Sequence, residues 1–352
     1  SRPPFPHGPE PPRHRLQTGF PERSWSGLQR VLELTEAMIR PFRSRTVAAV
    51  LVLALSGCSL KRAVVNRIGD GLAGGPSVFE TDDDPRLVGE ALPFSIKLTE
   101  MLLAESPRHR GLLLAACKAT AIYAYLFVEQ DAQMNPALTL AERKDATVRA
   151  HALYLRALEH GLRGLEACRT GFRARLAPQP AEAVRSFRRA DVPLLYWSAV
   201  ALGLAISSSR SDALMLARLP EMDALRARAE ELDEAHDAGA LHELAITMAA
   251  ARPALNEADV TGLRKHYARA LELSRGRRAS LYVAWAESAA IRTQDRAEFI
   301  AMLRSAVAVD PEAEPSLRLA NTVARRRASW LLGRVDEYFL EPAPDAPKEG
   351  GR

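Results

Sequence analysis

Apolar side chains return at every third or fourth position along almost the whole stretch from Pro85 to Phe339, and this period leaves few folds open. The stretch is rich in alanine, leucine, arginine and glutamate, and it contains almost no strand-like alternation. The sequence therefore predicts an all-α fold. We expect helices at roughly 85–105, 110–130, 141–167, 181–188, 191–207, 210–217, 221–233, 237–250, 260–274, 278–292, 295–308 and 313–340.

Internal similarity indicates how these helices are arranged. Tyr154–Glu159 reads Tyr-Leu-Arg-Ala-Leu-Glu, and Tyr267–Glu272 reads Tyr-Ala-Arg-Ala-Leu-Glu. Ala306 and Pro311 have the spacing of the second helix of a tetratricopeptide repeat, in which a small alanine allows close helix contact and a proline ends the helix. We predict a tetratricopeptide-like solenoid of about four helical hairpins with extra helices, in one helical-repeat domain at 81–340.

The N-terminal part of the chain has the pattern of an export signal. Arginines at positions 40, 43 and 45 precede an uncharged apolar run of nine residues, Val47–Leu55, and Leu-Ser-Gly-Cys ends at Cys58. About 20 apolar residues are needed to cross a bilayer as a helix, so the run is too short for a permanent anchor. The pattern predicts a lipoprotein signal peptide at 38–57, in preference to a buried apolar helix.

This signal sets the remaining boundaries. Residues 1–37 are rich in proline and arginine, and we interpret them as a start-site artefact, with a disordered leader as the alternative. Residues 58–80 are predicted to be a tether, and residues 341–352 a disordered tail. We expect a covalent lipid on Cys58, no other cofactor, and a lipid-anchored location on the export side of a bacterial membrane.

The charge of the chain excludes one class of partner. Its formal net charge is +5, but residues 1–57 hold 8 of the 48 basic residues and 4 of the 43 acidic residues. The part that follows the signal therefore has 40 basic and 39 acidic residues and is close to neutral. Because a nucleic-acid surface needs a strong basic excess, we expect no nucleic-acid partner.

The sequence has no pattern typical of a catalytic or metal site. Cys117 and Cys168 lie in helical patterns, where two buried thiols are favoured over a disulfide, and neither has a histidine nearby in sequence. His242, followed by Glu243, lacks a second histidine at zinc-ligand spacing, and no G-x-S-x-G motif occurs. We expect no enzymatic activity and no metal, with His242 hydrogen-bonded to a neighbour in a helix.

Aromatic and polar residues on otherwise apolar helices are the best binding candidates. A large apolar body with a polar tip suits both a ligand cavity and a protein interface, although ordinary repeat core is the alternative for each residue. The aromatic candidates are Tyr123, Tyr125, Phe127, Tyr196, Trp197, Tyr282 and Trp285. Glu287 and Asn321 are added because a buried polar group needs a partner.

Four segments give the chain a specific resemblance. They are DDDPRLVGEALPFSIKLTEMLLAESPRHRGLLLAACKATAIYAYLFV (82–128), DVPLLYWSAVALGLAIS (191–207), HYARALELSRGRRASLYVAWAES (266–288) and LRLANTVARRRASWLLGRVDEYFL (317–340). In this order and spacing they resemble the T-component lipoproteins associated with TRAP transporters. The resemblance implies a periplasmic, lipid-anchored helical-repeat protein that binds the transporter's solute-binding protein, and a homo-oligomer, with a trimer expected.

Two functions from different classes follow. The first is a transport accessory that binds the periplasmic solute-binding protein and helps to bind or pass on a small organic or apolar ligand. The second is a tetratricopeptide scaffold lipoprotein of the cell envelope that binds no ligand. Genes for a solute-binding protein and a two-subunit permease beside this one would favour the first, and cell-wall or secretion genes the second.

We predict that Cys58→Ala leaves the protein unlipidated and moves it from the membrane fraction to the soluble fraction, because the thiol of Cys58 is the expected lipid attachment site. Metabolic labelling with a fatty acid and cell fractionation measure this. Lipid labelling of the variant equal to wild type would refute the assignment. Expression from Met38 should still give full export if residues 1–37 are an artefact.

Overall fold

A computed structural model describes residues 65–67, 71, 78–252 and 256–340 of the chain. These residues belong to one compact unit, Arg62–Arg352. The predicted leader, signal peptide, lipidation site at Cys58 and tail at 341–352 lie outside the described residues, as does most of the predicted tether.

The described residues form helices and contain no strand, which confirms the all-α fold. The α-helices are α1 (Pro85–Glu105), α2 (Arg110–Tyr123), α3 (Asp131–Met134), α4 (Leu140–Cys168), α5 (Phe172–Leu176), α6 (Pro180–Val184), α7 (Val192–Ser207), α8 (Ala213–Leu216), α9 (Leu219–Leu232), α10 (Ala240–Ala249), α11 (Glu257–Ser274), α12 (Ala279–Trp285), α13 (Arg296–Ala308) and α14 (Arg318–Leu332). Two π-helical segments, Ala124–Gln130 and Ala286–Ala290, continue α2 and α12.

Capping side chains fix several helix starts where the sequence predicts them. The carboxylate of Asp84 accepts hydrogen bonds from the main-chain N–H groups of Arg86 and Leu87, at 2.9 and 3.2 Å, and so caps α1. Thr139 and Glu142 form a capping box at the start of α4. These bonds satisfy N–H groups that have no partner inside a helix.

The predicted last helix, 313–340, was too long. The structure has short 3₁₀ turns at Pro311–Ala313 and Pro315–Leu317, then α14, and a further 3₁₀ turn at Val335–Glu337. The two prolines lack the N–H groups that a continuous helix needs. The short helix α5 was also absent from the prediction.

Helices that follow one another in sequence pack on one another. Contacts join α1 to α2, α2 to α4, α4 to α7 and α7 to α9, and then α10 to α11, α12 to α13 and α13 to α14. The core of the second half includes Phe299, Leu303 and Ala306, each fully buried. The tetratricopeptide-like arrangement of these pairs stays a prediction.

The C-terminal helix returns to the start of the domain. The N–H of Leu319 donates to the carbonyl of Glu80 at 3.1 Å, and the guanidinium of Arg318 donates to the carbonyl of Thr81 at 2.8 Å. Leu319 also belongs to one apolar cluster with Val88, Leu92 and Val323. The helical array is therefore closed by a contact between α14 and the first residues of the domain. The residues around Glu80, at the end of the predicted tether, are part of this contact.

Two stretches, Arg110–Met134 and Arg189–Ser207, are long and apolar enough to cross a membrane by length and composition alone. In the structure 44% and 61% of their most apolar windows are buried. Both contribute residues, Cys117 and Leu202 among them, to the same large core cluster. The two stretches are apolar because they pack in the core of the domain.

We predict that Ala306→Trp lowers the free energy of unfolding by about 1–3 kcal/mol or more, because Ala306 is fully buried between packed helices and has no room for an indole. Ala308→Trp is the matched control, since Ala308 is exposed near the end of the same helix. Thermal unfolding followed by circular dichroism measures both. Equal melting temperatures for the two variants would contradict the close helix contact.

Candidate functional site

An inner cavity of about 260 Å³ lies among the helices that the closing contact brings together. Its walls come from α2 and the π segment after it, and from α7, α10, α12 and α14. These are called the inner helices below. This volume is slightly below the range typical of small-molecule sites, roughly 300–1,000 Å³.

Most of the wall of the inner cavity is apolar. Gly203 of α7 lies directly opposite Met248 of α10, and a Cβ atom at position 203 would meet the Met248 sulfur at 2.7 Å. The missing side chain therefore lets the thioether reach the wall. The main apolar lining residues are Leu126, Val200, Leu204, Leu244, Met248 and Val323.

One part of the wall carries a buried charged cluster. The guanidinium of Arg278 is almost completely buried, and it lies 3.1 Å from a carboxylate oxygen of Asp237 and 3.4 Å from one of Glu243. It also donates to the main-chain carbonyl of Asp237. The hydroxyl of Ser280 donates to Glu243 at 3.0 Å. All four residues line the inner cavity, so a ligand with an apolar body would meet hydrogen-bonding groups here.

Burial shapes the protonation of this cluster. Burial raises the pKa of Glu243, an effect that the guanidinium of Arg278 opposes. Burial alone would lower the pKa of Arg278, but Asp237 and Glu243 raise it above its usual value, so the arginine stays charged. Burial, and then the carboxylate of Asp237, raise the pKa of Tyr196, which keeps its hydroxyl a hydrogen-bond donor.

The backbone that presents Asp237 is unusual. Asp237, Ala238 and Gly239 have φ angles of 43°, 50° and 90°, so two non-glycine residues are left-handed in succession. A Cβ atom at Gly239 would lie 3.0 Å from the Cα atom of Ala270. Such conformations cost about 1–3 kcal/mol each and persist where the surroundings fix them. Here they bring both the carbonyl and the carboxylate of Asp237 to Arg278.

Three of the predicted aromatic residues come together at the inner cavity: Tyr125, Tyr196 and Trp197. Tyr196 and Trp197 meet edge to face, with ring centroids 5.2 Å apart. The ammonium of Lys118 lies 5.7 Å from the centroid of the Trp197 ring and 2.7 Å from the carboxylate of Glu80. Glu80 also lines the inner cavity.

Tyr123 and Phe127 pack outside the inner cavity. Their rings stack with centroids 6.3 Å apart, and the guanidinium of Arg149 lies 5.9 Å from the Tyr123 centroid. Phe127 packs against Gly89 of α1, where a Cβ atom would lie 2.8 Å from the ring. This pair joins α1 to the inner helices.

Tyr282 and Trp285 lie together in the second half of the core, with Tyr267 between them. The Tyr267 centroid is 5.0 Å from Trp285 and 6.3 Å from Tyr282. Trp285 is almost fully buried, and the guanidinium of Arg264 lies 5.1 Å from its ring. These contacts place both residues in packing between α11 and α12.

The two polar candidates have partners of their own. Glu287 accepts a hydrogen bond at 2.7 Å from Arg327 of α14. Asn321 is fully buried, and its amide accepts from the N–H of Ala279 at 2.9 Å and donates to the carbonyl of Arg277 at 2.8 Å. Asn321 therefore joins α14 to the start of α12. A ligand role for these two residues, and for the aromatic residues outside the cavity, stays a prediction.

The charged residues of the inner cavity are not among the site residues predicted from the sequence. Arg278 lies in the basic run Arg275–Arg278, which suggests a solvated turn. Glu243 was considered only for its histidine neighbour. The available signal was a carboxylate in an otherwise apolar stretch, Ala240–Ala249, where a charge needs a partner.

A family model described as TRAP transporter T-component matches residues 81–339, which is nearly all of the helical domain. The chain belongs to this family. Members of this family are components of TRAP transporters, and the family is not a known enzyme family. A similar protein is an uncharacterized protein of Treponema pallidum (strain Nichols), 29% identical over 319 residues, which cover 82% of this chain and 95% of that protein.

We predict that Arg278→Leu lowers the free energy of unfolding by about 3–5 kcal/mol, because it leaves the largely buried carboxylate of Glu243 without its cation. Arg277→Leu is the control, since the Arg277 side chain is much more exposed and lies 3.6 Å from Glu314. Urea denaturation measures both.

A second substitution separates charge from shape. Adding Glu243→Leu to Arg278→Leu removes the uncompensated carboxylate, so the double variant should regain part of the lost stability. A double variant less stable than Arg278→Leu would show that packing, and not charge, explains the loss.

Proposed function

We propose that this T-component is a lipid-anchored accessory on the periplasmic side of the membrane that binds the transporter's solute-binding protein. In this role it takes a small organic ligand with an apolar body into the inner cavity. The observation that carries the proposal is the inner cavity itself, an apolar space with Arg278, Asp237 and Glu243 in its wall. A scaffold that binds no ligand gains nothing from a charged cluster that is costly to bury.

The charges of the cavity wall favour a polar group that both donates and accepts hydrogen bonds. Arg278 is already matched by two carboxylates, so the wall offers no uncompensated cation to a strongly anionic ligand. The Nε atom of Arg278 is buried and has no hydrogen-bond partner among the described residues. Tyr196 and Ser280 add hydroxyl groups nearby. An uncharged or weakly polar head on an apolar body fits this wall best.

Helix α1 supports a contact with another protein. Its buried face includes Val88, Leu92 and Ile96 and packs into the domain. A second apolar stripe on the same helix is exposed: Leu87, Phe94, Leu98 and Met101, with Phe94 73% and Met101 68% exposed. The spacings of seven, four and three residues place these side chains on one face. A helix with apolar residues on two faces is usually covered on both of them by other helices or proteins.

A lipid anchor joined to this helical domain favours the solute-binding protein as the partner. A lipid on Cys58 would confine the domain to the membrane surface, where the solute-binding protein delivers its ligand to a permease, and confinement raises the effective concentration of a partner. We assign the exposed stripe of α1 to the solute-binding protein. A homotrimer, expected from the family resemblance, would compete for such a surface, and the experiment below separates the two occupants.

The test is to mix the chain from Ser59 onward with the solute-binding protein encoded beside it and to measure association by sedimentation velocity. Phe94→Ser should weaken the complex by about 2 kcal/mol or more, as expected for the loss of a buried aromatic anchor. Leu214→Ser is the matched control, because Leu214 is 81% exposed on a different helix. Absence of a complex at tens of micromolar would favour the scaffold. If Phe94→Ser changes only self-association, the stripe is the contact between subunits.

A second arm of the experiment addresses the ligand. Prodan, a neutral apolar fluorophore, should bind saturably to the wild-type domain, and Ala320→Trp should abolish this because Ala320 lines the inner cavity. Ala301→Trp is the control, an exposed alanine on α13 that is not among the lining residues. Trp197→Ala should alter probe binding without weakening the protein complex. Equal prodan binding by the Ala320→Trp variant would exclude the inner cavity as the site.

A further inference from the structure

Two histidines and a glutamate from three helices meet on the side of α10 that faces α9 and α11. They are Glu230 of α9, His242 of α10 and His266 of α11, and one ligand atom from each lies within 4.8 Å of the others. The Nδ1 atoms of the two histidines are 2.8 Å apart, and a Glu230 carboxylate oxygen lies 3.9 Å from Nδ1 of His242. Sequence spacing does not indicate this site, because the histidines are 24 positions apart on different helices.

The other ring nitrogen of His242 faces a carboxylate. Its Nε2 atom lies 3.3 Å from an oxygen of Glu234. Both oxygens of Glu234 are held by the guanidinium of Arg269, at 2.9 and 2.7 Å. A carboxylate behind the far nitrogen of an imidazole is the usual support of a histidine that binds a metal, because it fixes the ring and keeps the proton on that nitrogen. In the structure Nε2 of His242 has no hydrogen-bond partner among the described residues, so this support requires Glu234 to move closer. Nδ1 of His242 is then left with its lone pair directed at His266.

We propose that Glu230, His242 and His266 bind a divalent transition-metal ion, with Zn²⁺ as the best match. Two imidazole nitrogens and one carboxylate oxygen are ligands that Zn²⁺ accepts, with solvent completing a tetrahedral shell. Two nitrogens on a tetrahedral ion are about 3.3 Å apart, so loading needs the Nδ1 atoms to separate by about half an ångström. His266 is only half buried, and its ring can make that shift. When the ion binds, the proton of His266 occupies Nε2.

The charge balance around the site determines which ion it takes. Arg226 contacts the second oxygen of Glu230, and Arg269 holds Glu234, so each carboxylate already has a cation. Attraction by net negative charge is therefore weak, and affinity must come from the imidazole nitrogens. Nitrogen ligands suit Zn²⁺ and similar ions, whereas Ca²⁺ and Mg²⁺ require several oxygen ligands. The site should bind Zn²⁺ and exclude Ca²⁺ and Mg²⁺.

An ion can reach the site from solvent. A recess of about 210 Å³ opens beside it and is lined by His266 and Arg226, with Asp223 and Asp259 at its walls. A metal site requires a path by which the ion can enter from solvent. The recess also leaves room for a water molecule as the fourth ligand.

The ion would act on the inner cavity through α10. His242 lies on this helix directly before Glu243, and Glu243, Leu244 and Met248 line the inner cavity. A metal that joins α9, α10 and α11 would fix the helix that carries this part of the wall. The site is thus structural, and its existence does not depend on the proposed transport role.

The test uses the chain from Ser59 onward, stripped of metal with a chelator and titrated with ZnCl₂ by isothermal calorimetry. Wild type should bind one equivalent of Zn²⁺ saturably, should not bind CaCl₂, and should gain thermal stability with Zn²⁺. His266→Phe, which keeps an aromatic ring, and His242→Gln should both lose this binding. Glu234→Gln, which changes only the residue behind His242, should lower Zn²⁺ affinity by about tenfold or more.

His160→Ala is the matched control. His160 is a buried histidine that lies 3.4 Å from a carboxylate oxygen of Glu100, but its partner is a single carboxylate and not a second histidine. It should bind Zn²⁺ as wild type does. Co²⁺ gives an independent readout that needs no folded variant: the wild-type spectrum should have tetrahedral d–d bands without a thiolate charge-transfer band. The proposal is overturned if wild type binds no stoichiometric Zn²⁺, if His266→Phe binds as tightly as wild type, or if Co²⁺ gives a thiolate spectrum.

Discussion

The contact between α14 and the first residues of the domain is the interaction on which the other features depend. The bond between the Leu319 N–H and the Glu80 carbonyl joins residues from opposite ends of the helical domain. Glu80, Leu319 and Val323 also line the inner cavity. Without this contact the inner helices would border an open channel, and apolar side chains from α7 and α10 would meet water. The entropy lost in joining distant parts of the chain is offset by burial of the cluster around Val88.

The cluster of Arg278, Asp237 and Glu243 is difficult to explain as a source of stability, because Arg278 and Glu243 are largely buried whereas Asp237 is exposed. Desolvation of the two buried charges costs several kcal/mol per ion, and apolar replacements of similar volume are often neutral or stabilising. The left-handed backbone at Asp237 and Ala238 adds a further cost. Both the desolvation and the left-handed backbone lower stability. Their result is a set of hydrogen-bonding groups in the wall of an otherwise apolar cavity, where a bound molecule could contact them. Under the proposed function, this cluster would set the specificity for a ligand and the apolar wall would supply the affinity.

Residue patterns predicted the helices well because each helix is amphipathic over several turns and many have a side-chain cap. They also selected Tyr125, Tyr196 and Trp197, which line the inner cavity, since an aromatic residue with a polar tip is conspicuous in an apolar helix. Arg278 was missed because a basic run at a turn normally faces solvent. Its pairing with Asp237 and Glu243, which are distant in sequence, is decided by tertiary packing. The pairing of His242 with His266 was hidden for a related reason. Which face of α10 meets α11 is decided by tertiary packing, and helical period alone does not specify it.

The π segment Ala124–Gln130 has a consequence for the comparison of related chains. A helix with i→i+5 bonds holds one residue more per turn than an α-helix of the same rise. Ala124–Gln130 joins α2 to α3 in this way, whereas Ala286–Ala290 is the last turn of the helical stretch that begins with α12. The direction of the Tyr125 side chain therefore depends on this wider turn as well as on its place in the sequence. A relative that lacks one residue in this segment would have its downstream side chains rotated by about 100°, so an alignment of such chains requires a one-residue gap inside this helix.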